Sequence, residues 1–134
     1  QIGGGCDLVT ADLAFISLRL VWRAMAELLS DGGEVIALVK PQFEAGRRQV
    51  GRGGVVRDPA VHLDVLDAVL RAARLAGFTP LGVTPSPLRG PAGNIEYLAR
   101  LARGAGADGD LAPDALETVV AAAHEIPAAG RKPP

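Results

Sequence analysis

Glu34-Val35-Ile36-Ala37-Leu38-Val39-Lys40-Pro41 is the stretch on which the reading of the fold turns. From Val35 to Val39 the run is apolar without alternation. Such a run suits a strand buried on both faces, as in a parallel sheet flanked by helices. Pro41 cannot donate to a ladder and stops the strand. Upstream, Asp7-Leu8-Val9-Thr10-Ala11-Asp12 predicts a second short buried strand. Between the two, Leu18, Leu20, Val21, Trp22, Met25, Leu28 and Leu29 follow Ser17 at helical spacing. Ser17 serves as N-cap, and Ser30-Asp31-Gly32-Gly33 ends the helix with glycine free to take a left-handed cap. Trp22 and Met25 read as core.

Downstream, residues 42–57 form a long connection with arginines at 47, 48, 52 and 57 and glycines at 46, 51, 53 and 54. Connections of this length are functional or disordered. Asp58-Pro59 opens a helix to about Leu75, with Gly77 beyond its end. Residues 78–85 read as a third strand, placed at an edge by Pro80 and Pro85. A turn over 86–93 leads to a fourth strand over 94–102. That connection is too short for a parallel crossover, so the last two strands are antiparallel. Asn94 and Ser86 read as caps of the turn. From Gly104 the composition shifts to Gly, Ala, Asp and Pro, with a short helix near 113–124 and a disordered end over 127–134. The expected division is a domain over 1–103 and a tail over 104–134. The fold class is α/β, with parallel strands, a late antiparallel hairpin and flanking helices. In this order of elements the chain resembles the second half of a class I, Rossmann-like methyltransferase sheet.

Three charged residues stand at or near the ends of these apolar runs: Asp12, Lys40 and Glu96. Charges beside buried strands are rare unless paired or working. Ligands of open α/β sheets sit at the carboxyl ends of the strands. The bland alternative is a buried structural ion pair. The arginines Arg47, Arg48, Arg52, Arg57 and Arg89 are candidates for RNA phosphates, or else a solvated surface.

The chain has 134 residues, 49% of them apolar and 4% aromatic, and a net charge of −1. The apolar share suits one domain with an aliphatic core. The charge gives no global attraction for nucleic acid, so any RNA contact must be local. A single cysteine, Cys6, excludes an internal disulfide and suits a reducing, cytoplasmic setting. No apolar run approaches the roughly 20 residues that span a bilayer, so no membrane partner is expected. His62 and His124 without a third ligand make no metal site. The N-terminus, Gln1-Ile2-Gly3-Gly4-Gly5, reads as a cut end.

Four ordered segments carry a family resemblance: residues 11–17 (Ala-Asp-Leu-Ala-Phe-Ile-Ser), 39–44 (Val-Lys-Pro-Gln-Phe-Glu), 51–59 (Gly-Arg-Gly-Gly-Val-Val-Arg-Asp-Pro) and 86–97 (Ser-Pro-Leu-Arg-Gly-Pro-Ala-Gly-Asn-Ile-Glu-Tyr). Over residues 7–101 the chain resembles the TlyA branch of the FtsJ-like ribosomal RNA 2′-O-methyltransferases, also labelled hemolysin A. The resemblance implies S-adenosylmethionine as methyl donor and a Lys-Asp-Lys-Glu tetrad. In it Asp12, Lys40 and Glu96 match the last three members, and Asp12 also borders the donor. The first lysine, the glycine-rich donor loop and the S4-type RNA-binding domain have no counterpart here. Gly3-Gly4-Gly5 is not that loop, because no strand precedes it. The expectation is therefore a C-terminal fragment of the enzyme, inactive alone, with ribosomal RNA as partner of the whole. A homodimer through the exposed edge near residues 5–22 is also expected. The rival is a non-catalytic module that binds RNA or self-associates. Membrane insertion as a hemolysin is rejected, because no segment is long or amphipathic enough.

Overall fold

A computed structural model describes residues 5–104 and 110–127. Four strands form one sheet in the order β1-β2-β4-β3, where β1 is Cys6–Ala11, β2 Leu29–Val39, β3 Phe78–Pro85 and β4 Tyr97–Arg103. β1 and β2 are parallel, and β4 runs antiparallel to both β2 and β3. The α/β class, the late hairpin and the edge position of the proline-bearing strand therefore stand as the sequence indicates.

The helices are α1 (Trp22–Leu28), the short α2 (Pro41–Glu44), α3 (Pro59–Leu75) and α4 (Ala115–Glu125). Asp58 caps α3 by accepting from the Ala60 N–H at 2.9 Å. The buried side of α3, with Leu66, Val69, Leu70 and Ala73, shares one core with Val35, Ala37 and Val39 of β2 and Ala99 and Leu101 of β4. Trp22 and Met25 are in that core, and Trp22 Nε1 donates to the Val69 carbonyl at 3.1 Å. Val120 and Ala123 of α4 join it. The alternate residues of the sheet, Ile36 and Leu38 on β2 and Leu98 on β4, face the other side and are only half-buried.

Three local expectations are corrected. The helix expected to run on from Ser17 is a 3₁₀ turn over Leu18–Leu20 followed by the shorter α1. The glycines expected to cap it lie inside β2, which begins at Leu29. There the step from Leu29 to Glu34 faces the step from Cys6 to Leu8. The surplus residues form a bulge that uses the left-handed Gly32, at φ 76°. Gly33 is needed for its small size, since a Cβ there would lie 3.0 Å from the Cys6 carbonyl oxygen. The 42–57 connection is also not structureless: it holds α2, two 3₁₀ turns and the buried Val55 and Val56. The helix expected near 113–124 is α4. Residues 128–134, expected to be disordered, lie outside the described residues.

Candidate active site

The strand register brings the three charged positions to one end of the sheet. Ala11 pairs with Ala37 at the end of the β1–β2 ladder, and Val39 pairs with Tyr97 at the end of β2–β4. Asp12, Lys40 and Glu96 are each one step beyond. Lys40 Nζ meets Asp12 Oδ1 at 2.5 Å. The lysine side chain is only 15% exposed, whereas the aspartate is 71% exposed. The ion pair thus points a largely buried lysine at a carboxylate that still faces solvent.

Glu96 arrives by a different route. It is buried, at 6% exposure, and among the described residues it makes no ion pair with Lys40. Its Oε2 accepts from Gln42 Nε2 at 2.6 Å. The backbone of Gly90 closes the other side: a Cβ there would fall 2.7 Å from Glu96 Cδ. The Glu96 carbonyl accepts from the Ser86 N–H at 2.8 Å, and the Asn94 carbonyl from the Gly90 N–H at 2.7 Å, which closes the 86–96 turn.

The short α2 holds the other side of the site. Glu44, whose side chain is 3% exposed, accepts from Ser17 Oγ at 2.6 Å and from the Leu18 N–H at 2.7 Å. It thereby ties the segment after Asp12 to the segment after Lys40. Ser17 also caps its own turn, accepting from the Arg19 N–H at 3.1 Å. Between these anchors the Phe43 ring lies 4.8 Å, centroid to centroid, from Phe15 and 6.0 Å from Lys40 Nζ. Phe15 is 89% exposed and has a left-handed backbone, φ 62°. That is a costly conformation for a bulky residue and one that clusters at functional sites.

Of the arginines, Arg47, Arg48, Arg52 and Arg57 are exposed along the segment from α2 to α3. Arg89 is half-buried and donates to the Ile126 carbonyl at 2.7 Å, so it anchors the end of α4 as well as bordering the turn. Asn94, buried, accepts from the Val56 N–H at 3.0 Å and donates to the carbonyls of Gly54 at 2.9 Å and Pro91 at 3.0 Å. The arginine-bearing segment is therefore fastened to the turn that carries Glu96. The turn-capping reading of Asn94 holds and extends to this second segment. Ser86 Oγ accepts from the Leu88 N–H at 3.3 Å.

Sequence reasoning left Gln42, Glu44 and Phe15 without roles. It also treated His62 and His124 as isolated. His124 Nε2 lies 3.1 Å from His62 Nδ1, and His62 also contacts the Tyr97 hydroxyl at 2.7 Å and the Val56 carbonyl at 2.8 Å. That carbonyl can only accept, so His62 Nε2 carries the proton and Nδ1 is left as acceptor. Burial lowers the pKa of both histidines and raises that of the Tyr97 phenol. Among the described residues no group of three or more His, Cys, Asp or Glu is placed to hold a metal. No helix there is long and apolar enough to cross a membrane.

The family described as "FtsJ-like methyltransferase" matches residues 1–103. The chain is 51% identical over 96 residues to "16S/23S rRNA (cytidine-2′-O)-methyltransferase TlyA" of Mycobacterium tuberculosis, covering 72% of this chain and 36% of that protein. It is 44% identical over 121 residues to "Putative rRNA methyltransferase YqxC" of Bacillus subtilis, covering 89% and 43%. The solved structure titled "Putative hemolysin from Streptococcus thermophilus" superposes with a TM-score of 0.84 at 45% identity, covering 90% of this chain and 43% of that one. The chain thus spans less than half the length of these relatives.

Proposed function

From the premise that this chain belongs to the FtsJ-like methyltransferase family, we propose that it is the acceptor-side half of a ribosomal RNA ribose 2′-O-methyltransferase. The observation that carries this reading is the 2.5 Å pairing of the largely buried Lys40 with the exposed Asp12 at the carboxyl end of the sheet. A ribose 2′-hydroxyl is a weak nucleophile. The Lys40 ammonium stabilises the alkoxide that develops as it attacks. Asp12 holds that ammonium and, being solvent-facing, offers a route for the proton. Glu96 supplies a second carboxylate at the same sheet end. The left-handed, exposed Phe15 presents a flat face on which a splayed base can stack. The exposed Arg47, Arg48, Arg52 and Arg57 supply phosphate contacts, with Arg89 at their margin.

S-adenosylmethionine, when bound, supplies the methyl group as an already activated electrophile. Among the described residues Asp12 fits the cationic edge of such a donor. A cradle for its adenosine is not among them. Residues 1–103 form the methyltransferase half and 104–134 an appended segment, in a cytoplasmic enzyme. Alone, the chain self-associates through the open β1 edge rather than turning over.

Two measurements test the reading. Calorimetry of this chain with S-adenosylmethionine is expected to show no low-micromolar binding, and tight binding would contradict the division of labour. In the full-length enzyme, Lys40→Ala should lower methyl transfer to ribosomal RNA by about 100-fold or more. Near-normal turnover in that variant would refute the role of Lys40.

A further inference from the structure

Gln42 makes a bond whose purpose the stability of the fold does not explain. Its Nε2 donates to Glu96 Oε2 at 2.6 Å, while its Oε1 is buried with no partner among the described residues. A buried unsatisfied acceptor costs about 1–3 kcal/mol, and each such group calls for a reason. Turning the amide over would set its carbonyl oxygen against the Glu96 carboxylate, which is worse. The residue is therefore committed to one hydrogen bond, and that bond goes to a site carboxylate. Its backbone is equally constrained. Gln42 sits two residues after Lys40, behind Pro41, in a turn whose far end is pinned by Glu44 to Ser17 and Leu18. From the opposite side Gly90 leaves the carboxylate no room to retreat.

We propose that Gln42 is a positioning residue: it fixes the Glu96 carboxylate relative to Lys40 by tying it to the turn that Lys40 begins. This rests on the catalytic reading above, in which Glu96 belongs to the reacting group. It goes further by naming the part that sets the distance between the carboxylate just before β4 and the lysine just after β2. The β2–β4 ladder ends at the Val39–Tyr97 pair, so it sets the two backbones side by side but does not itself fix the Lys40 and Glu96 side chains relative to each other. A short amide bridge from the lysine's own turn does. Gln42 acts through Glu96.

Two experiments separate this role from a packing role and from the catalytic reading. In the chain itself, nitrogen-resolved NMR should show one Gln42 side-chain amide proton shifted downfield and protected from exchange. Glu96→Ala should abolish that signature. Two freely exchanging amide protons in the unsubstituted chain would overturn the proposal whether or not the enzyme methylates RNA. In the full-length enzyme, Gln42→Met keeps the volume and removes the orphaned acceptor. It should leave the melting temperature within about 5 °C and the KM for RNA unchanged, while kcat falls at least about tenfold. Gln42→Glu should move the acid limb of the kcat–pH profile upward, since two carboxylates at that spacing share a proton. Unchanged kcat in Gln42→Met would overturn the proposal, and so would loss of the fold, which would make Gln42 a structural residue. Absence of methyl transfer by the unsubstituted enzyme would instead sink the catalytic reading and leave the NMR result to decide the bridge.

Discussion

At Asn94 a single buried amide satisfies a backbone donor on Val56 and carbonyls on Gly54 and Pro91. Truncating it leaves those groups without partners in a dry setting. Asn94→Ala should therefore cost about 2–4 kcal/mol, measured as a shift in the urea midpoint. It should also speed amide exchange at Val56. At this scale the sequence was informative where chemistry declares itself locally. Asp12 and Lys40 are charges closing apolar runs, and they meet as such placement suggests. Glu96 was legible as a buried charge, but its partner was not. Gln42 lies 54 positions away, behind a proline, where a polar residue reads as loop. Glu44 was hidden for the same reason, its partner Ser17 being 27 positions distant. Phe15 gave no signal, because a left-handed aromatic has the same letter as an ordinary one.

The four strands and three of the four described α-helices were legible in their order, the short α2 was not, and boundaries were less so. The apolar spacing after Ser17 is helical, yet Glu44 draws the Leu18 N–H and the Ser17 hydroxyl to itself and tightens the first turn into a 3₁₀ segment. Gly32 and Gly33 suit a helix cap and a bulge equally, and only the partner strand decides between them. α4 carries a consequence for pH. Its His124 faces His62 of α3, with Tyr97, Asp58 and Arg89 around the pair. Both histidines titrate below the ordinary value of 6.5, chiefly through burial. The unfolded chain therefore takes up protons first as the pH falls. Stability is fully present above about 6.5 and declines as the pH drops from there towards the lowered folded values. Charging His62 also removes the acceptor that Tyr97 and His124 share. Melting temperatures across pH 7.5 to about 5 should fall, and His124→Leu should flatten that slope. A slope unchanged by the substitution would exclude the histidine pair as its source.

On the scale of the whole molecule, the described helices leave one sheet face half-covered, and the edge strand β1 has no strand on its outer side among the described residues. Leu8, on that edge, is 55% exposed. A parallel edge strand with unpaired backbone groups and apolar side chains invites another strand. For the chain on its own we expect a two-fold dimer whose interface includes residues near 5–22. Light scattering should report twice the monomer mass at high micromolar concentration, and Leu8→Lys should halve it. A monomer at that concentration would refute the dimer.

On the proposed reading, the outer edge of β1 is also the seam between two halves. Among the described residues, the contacts that position Asp12, Lys40 and Glu96 come from within residues 5–104, and none of these crosses it. An enzyme of this kind severed along that seam would yield a piece already holding its half of the machinery in order. Reassembly would then need only strand docking, with no refolding of the site. That is the property sought in a split reporter, where two inert polypeptides regain activity when fused partners bring them together.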